Sequence, residues 1–162
     1  MPFEWTSLAC LLLGLASARV SGVFLAFSDF LMRAFREADA PHGIDVMQRL
    51  NQTVMRSEFL ATFMALAPLS LGAIVYAALR LDGAPARLII GAGLTYFVAV
   101  FLVTIARNVP MNKRLDAAPF DSQAAADYWR IYAVSWTRWN SLRSIGALAA
   151  AGLYLFAAML LK

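Results

Sequence analysis

The chain has 162 residues, of which 61% are hydrophobic and 15% charged, with a formal net charge of +4. Soluble domains carry about 25% charged residues, so this balance excludes an ordinary water-soluble fold and predicts an integral membrane protein. A lone Cys10 and a lone His42 exclude an intrachain disulfide framework and a Cys- or His-rich metal site, so neither metal nor cofactor is expected.

Four apolar stretches follow in chain order, at residues 5–28, 59–79, 88–106 and 144–161. Each approaches the roughly 20 residues a helix needs to cross a hydrocarbon layer about 30 Å thick. Backbone groups in lipid must be satisfied within their own segment, so the spans are read as helices. The expected fold is a single all-α membrane four-helix bundle over residues 1–162, with amphipathic or extended helices in its two long connections. The N-terminal residues 1–5 lack a signal peptide's basic start, so the first stretch is read as a retained span.

The first span carries the only charge within the four stretches, Arg19. An ionisable group at that depth must snorkel, bond carbonyls, or meet Glu58 or an anionic ligand. Gly14, Ala18, Gly22 and Ala26 recur every four residues beside it, a small-residue stripe that suits close helix packing. After this span, residues 44–58 place Met47, Leu50, Val54 and Met55 at helical spacing, opposite Arg49, Gln52 and Arg56. They read as an amphipathic helix on the membrane surface or an extension of span 2.

Span 2 contains Pro68, where a kink is expected. Residues 83–85 form a tight turn that makes spans 2 and 3 antiparallel neighbours. Span 3 is followed by Asn108-Val-Pro-Met-Asn112, in which Pro110 should force Val109 out of helical geometry and end the span. Asp121 is the expected N-cap of a last helix that runs unbroken through Trp129, Tyr132, Trp136, Asn140 and Arg143 into span 4. That helix would be roughly 60 Å long, its first half beyond the bilayer.

Basic residues favour one side. Arg33, Arg36, Arg49, Arg56, Arg107, Lys113, Arg114, Arg130, Arg138 and Arg143 lie in or beside the long connections, against Arg80, Arg87 and Lys162 elsewhere. The positive-inside rule puts those connections in the cytoplasm and both termini outside, in a bacterial plasma membrane. The expected partners are anionic lipid headgroups rather than nucleic acid. Self-association as a homo-oligomer stays open.

No glycine-rich phosphate loop, Ser-His-Asp set or repeated His or Cys spacing occurs. What remains is a constellation at one membrane face: Asn51, Glu58, Asn108, Asn112, Trp136, Trp139, Asn140 and Arg143, with Arg19 beneath. Aromatic surface with a few convergent polar groups describes a pocket for a flat apolar ligand, and equally an interfacial aromatic belt. Asn108 and Asn112 admit two roles, as helix caps or as donors to a ligand oxygen. Arg143 can stack on an indole or pair with an enolate.

The ordered set Gly22-Val-Phe-Leu-Ala-Phe-Ser28, Met47-Gln-Arg-Leu-Asn51, Asn108-Val-Pro-Met-Asn112 and Trp136-Thr-Arg-Trp-Asn140 with Arg143 resembles the anthrone oxygenase-like family. The resemblance spans nearly the whole chain. It implies a four-helix membrane bundle and, where relatives have a known activity, oxygenation of an anthrone methylene to the anthraquinone. Two positions depart from the family pattern: Ser141, where many relatives have histidine, and Arg33, where many have proline. The first removes a proton carrier or metal ligand. For such a reaction without a cofactor, Glu58 would be the base and Asn108, Asn112 and Asn140 would polarise oxygens. Arg143 or Arg19 would offset the charge. The alternative is a non-catalytic module that binds a lipid or quinone, or assists a partner protein.

Overall fold

The computed structural model describes residues 2–161. Four helical rods, each long and apolar enough to cross a membrane, make up most of the chain: Glu4–Glu37, Glu58–Arg80, Gly83–Asp116 and Gln123–Leu160. No strand occurs among the described residues. The chain is a helical membrane bundle, with exposed side chains such as Leu8, Leu12, Leu15, Leu69, Leu148 and Phe156 left to face lipid.

The first rod joins α1 (Pro2–Ala26) to α2 (Met32–Glu37) through a π-helical turn, Phe27–Leu31. α3 (Ala40–Thr53) ends in a 3-10 turn, Val54–Arg56, and is followed by α4 (Glu58–Arg80), the second rod. The third rod comprises α5 (Gly83–Thr95), two π-helical segments (Tyr96–Leu102 and Thr104–Asn108) and α6 (Val109–Asp116). The fourth is α7 (Gln123–Leu160), an unbroken helix of 38 residues, about 57 Å long.

Local chemistry sets most boundaries. Ser57 opens α4 by accepting the Leu60 amide at 3.1 Å, and Ser122 opens α7 by accepting the Ala125 amide at 3.1 Å. Each cap contributes about 1 kcal/mol. The cap of α7 is therefore Ser122, one residue beyond the expected Asp121. Pro110 does not end the third rod either. Val109 is helical at φ −62° and ψ −47°, and the rod runs on to Asp116. Pro110 falls in the first turn of α6, where its missing N–H costs little. Pro68 lies inside a continuous α4. The turn between the second and third rods is only Leu81 and Asp82, and α5 begins at Gly83 with φ +72°, a conformation that favours glycine.

α7 is the axis of the bundle. Half of its most apolar window is buried, against 22–33% in the other three rods. It packs along α1, α5 and both π-helical segments of the third rod, while α4 packs mainly on α5. Inside the bilayer, Ser21 donates to the Ser144 carbonyl at 2.8 Å and Ser144 donates back to the Ser21 carbonyl at 3.2 Å. This reciprocal pair joins α1 to α7 where lipid offers no hydrophobic drive. The small-residue stripe of α1 is not one contact line. A Cβ on Gly14 would meet Leu155 at 2.9 Å, whereas Gly22 has nothing within 4 Å. The residues that α1 turns inward are Thr6, Cys10, Gly14, Ser17, Val20, Ser21 and Phe24.

Beyond the lipid-facing part, the N-terminal half of α7 builds a second, water-side core. Trp129, Tyr132 and Trp136 pack there with Met32, Ile44, Met47 and Leu115. α3 thus lies across the end of the bundle as a lid, rather than extending the second rod. Gln48 ties it to the end of the third rod by donating to the Leu115 and Ala118 carbonyls, both at 2.9 Å. On its outer face Arg49 pairs with Asp45 at 2.8 Å, a hydrogen bond that pushes the guanidinium above its ordinary pKa.

Candidate functional site

Beneath the lid lies a cavity of about 690 Å³, bounded by α3, the start of α4, the π-helical parts of the first and third rods, and the middle of α7. Every π-helical segment contributes a wall: Phe27 from the first rod, then Phe101, Thr104 and Ile105 from the third. Such turns shift side chains out of helical register, and they recur at functional sites. Most of the wall is apolar, and six of its side chains are aromatic. Phe24 meets Phe59 edge-on at 5.5 Å and Phe63 at 6.2 Å, while Phe63 lies 6.0 Å from Phe101 and Phe27 lies 5.7 Å from Trp136.

One cation enters this apolar wall. Arg143 is 5% exposed, and its guanidinium lies 4.2 Å above the Phe24 ring and 5.4 Å from Trp136. It donates to Asn140 Oδ1 at 2.7 Å and to Thr104 Oγ1 at 3.2 Å, but its Nε–H has no acceptor. Among the described residues none of the ion pairs includes it. Guanidinium is always charged in proteins and buried charges are normally paired. Arg143 thus brings to the cavity wall a buried charge that has no carboxylate partner among the described residues. Asn140 holds it there. Its Nδ2 donates to the Phe24 carbonyl at 2.6 Å and to Ser28 Oγ at 2.7 Å, so both ends of this amide are engaged. Asn140 positions the arginine and keeps no group free for a ligand.

Asn112 behaves differently. Its Oδ1 accepts from Trp136 Nε1 at 2.8 Å and from the Tyr132 hydroxyl at 2.9 Å. An indole N–H is only a donor, so the amide orientation is fixed, and the N–H₂ group remains as the cavity's neutral donor. At the rim, Asn51 donates to Asp116 Oδ1 at 3.0 Å, beside Lys113. Asp116 is the one carboxylate bordering the cavity among the described residues.

Five residues singled out from sequence thus meet at the cavity: Asn51, Asn112, Trp136, Asn140 and Arg143. The other four do not. Arg19 and Glu58 pair with each other at 3.4 Å on the outer surface, with side chains 54% and 92% exposed. Arg19 snorkels to the first residue of α4 instead of facing inward. Glu58 consequently offers no base to the cavity, and Arg19 no counter-charge. Asn108 is buried behind the wall, where it donates to the Trp136 carbonyl at 3.3 Å rather than capping a helix. Trp139 lies on another face of α7, with the Arg107 guanidinium 4.8 Å above its ring. Sequence reasoning missed Thr104, the phenylalanine wall and Asp116. The signal for Asp116 was its spacing of four from Asn112, which puts both on one helical face.

No three His, Cys, Asp or Glu side chains gather into a metal site among the described residues. The arrangement instead suits a flat aromatic molecule carrying an acidic oxygen: rings for its faces, a cation for its charge, and an amide donor beside them. The family model described as anthrone oxygenase matches residues 51–153. The chain belongs to the anthrone oxygenase family. The matched segment carries Asn51, Thr104, Asn112, Asp116, Trp136, Asn140 and Arg143, so the polar half of the cavity lies within the family region. Phe24 and Phe27, part of the aromatic wall, lie outside it. No curated protein and no solved structure matches the chain.

Proposed function

We propose that this anthrone oxygenase family member binds planar phenol- or anthrone-type molecules against Arg143 and, with dioxygen, oxidises those that carry a ring methylene beside a conjugated ketone. The carrying observation is the buried guanidinium, without a carboxylate partner, facing an apolar cavity lined in part by aromatic rings. A ring ketone acidifies the anthrone methylene, and Arg143 offsets the charge that develops on the ketone oxygen. Asn112 Nδ2 donates to the same region. Asp116 is the residue available to take the proton, and its place at the rim lets it pass that proton to water. The carbanion then reduces dioxygen, and the resulting hydroperoxide loses water to leave the carbonyl. One methylene and one O₂ become one C=O and one H₂O, so the balance needs no further reductant. The cationic residues around this end support a cytoplasmic position for the lid, with the spans in a bacterial plasma membrane.

The test is anthraquinone formation by protein in phosphatidylcholine nanodiscs, fed an anthrone under oxygen. The wild-type rate should exceed the buffer rate, and Arg143→Gln and Asp116→Asn should each lower it. Equal rates for wild type and buffer would end the oxygenase reading for this class. A second reading has its own observation: the cavity wall includes no histidine, and its one carboxylate is engaged by Asn51. On that reading the protein binds and presents a quinone-like ring without oxidising it. Ring binding without oxygen uptake would select it.

A further inference from the structure

The cavity has two rims of opposite character. Toward water stand Lys113 and Asp116, but the lid crosses this side, and the Asn51–Asp116 hydrogen bond at 3.0 Å and the two Gln48 hydrogen bonds at 2.9 Å hold it down. On the other side, α4 runs beside α5 and Tyr96–Leu102 and then parts from Thr104–Asn108. Met64 of α4 and Ile105 of the third rod border the cavity at this gap, yet they are 48% and 52% exposed. Met64 lies six residues into α4, about 9 Å along its axis from the exposed Arg19–Glu58 pair and within the uncharged stretch 59–79. An uncharged apolar helix surface of this kind is what acyl chains cover. The cavity is latched at its polar rim, and its other rim is an exposed apolar gap.

We infer that the ligand is an amphiphile, an acidic phenolic or enolic ring with a hydrocarbon tail, which enters from the bilayer between Met64 and Ile105. The inference rests on the ring-site reading above and names the substrate class for that site. The ring turns its oxygen to Arg143, between Phe24 and Trp136, while the tail stays in the gap. Hydrocarbon already in the bilayer crosses no water in this pose, so seating the ring requires no transfer of the tail. Methionine at the edge suits a passage that must fit differing chains, because its unbranched thioether adapts its shape.

The experiment uses the full chain in phosphatidylcholine nanodiscs with 3-pentadecylphenol carrying a photoreactive diazirine at either the ring or the tail end. Insertion sites are read by peptide mass spectrometry. The ring probe should label Phe24 or Trp136, and the tail probe the Met64 and Ile105 neighbourhood. Both signals should saturate and yield to unlabelled 3-pentadecylphenol. Arg143→Gln should lower both by roughly tenfold or more, the size expected for losing a charged hydrogen bond. Ile145 is the depth control. It is 67% exposed to lipid on α7, beside Gly146, whose position faces Val100. Ring labelling at Trp136 with tail labelling no stronger at Met64 than at Ile145 would overturn the window and leave the ring site standing. Absence of saturable ring labelling at Phe24 and Trp136 would overturn both.

Discussion

Replacing Arg143 with glutamine separates a ligand seat from a structural strut. The side chain gives two hydrogen bonds, to Asn140 and Thr104, and stacks on Phe24. Charged hydrogen bonds are worth about 1.5–3 kcal/mol each, and the stacking about 1–2 kcal/mol when desolvated. Against these stands the desolvation of a buried charge, several kcal/mol, which no carboxylate offsets here. The opposed contributions are of similar size, and glutamine can still donate to Asn140. Ligand-free stability of Arg143→Gln, read by SDS titration in mixed micelles, should therefore lie within about 2 kcal/mol of wild type. The ligand-linked gain should fall by about half. An anthrone at one hundred times its Kd should stabilise wild type by about 2.7 kcal/mol, and a tenfold weaker variant by about 1.4 kcal/mol at the same concentration. A ligand-free loss of about 3–5 kcal/mol with the ligand gain intact would show that Arg143 is half of a structural pair, and would refute the argument.

Glu58→Gln should leave ring binding and anthraquinone formation within about twofold of wild type, because its carboxylate faces outward against Arg19; an oxygen-uptake assay checks this. Asp116→Asn should slow turnover by roughly a hundredfold or more if it is the base, with ring affinity little changed in a parallel binding titration. Asn112→Leu should cost about 2–6 kcal/mol in SDS titration, since Trp136 Nε1 and the Tyr132 hydroxyl lose their acceptor together, and Asn112→Asp should recover much of that loss. Gly93→Ala should destabilise by about 1–3 kcal/mol, because the added Cβ would sit 2.6 Å from Ile74 and 2.8 Å from the Ser70 carbonyl. Gly152→Ala, with nothing within 4 Å, should instead gain up to about 1 kcal/mol of helix propensity in the same titration.

The bundle was legible because lipid leaves few options: a long apolar run must be a helix, and four of them must pack. Ser122 in place of Asp121 is a one-residue miss of the kind that neighbouring cap formers invite. The π-helical turns were not legible. Residues 96–102 and 104–108 read as ordinary apolar helix, and nothing in their composition marks the wider turn. Pro110 misled for a related reason, since a proline that ends one helix can equally open the next. At the site, Trp136, Asn140 and Arg143 were found because they share one face of a helix whose register was clear. Glu58 and Arg19 were misplaced because depth along a rod is readable from sequence, whereas the direction a side chain faces depends on neighbours far along the chain.

The unbroken length of α7 makes it a lever. Its fulcrum is the contact of Gly146 with Ala99 and Val100 of the third rod, and Trp129 lies seventeen residues away, roughly 26 Å along the axis. A five-degree tilt of the embedded arm would swing Trp129 by about 2 Å and Trp136 by about 1 Å, enough to lengthen the contacts that Trp136 and Tyr132 make with Asn112. Helices tilt when bilayer thickness changes. A bilayer thickness that tilted α7 would therefore reach the chamber through these contacts.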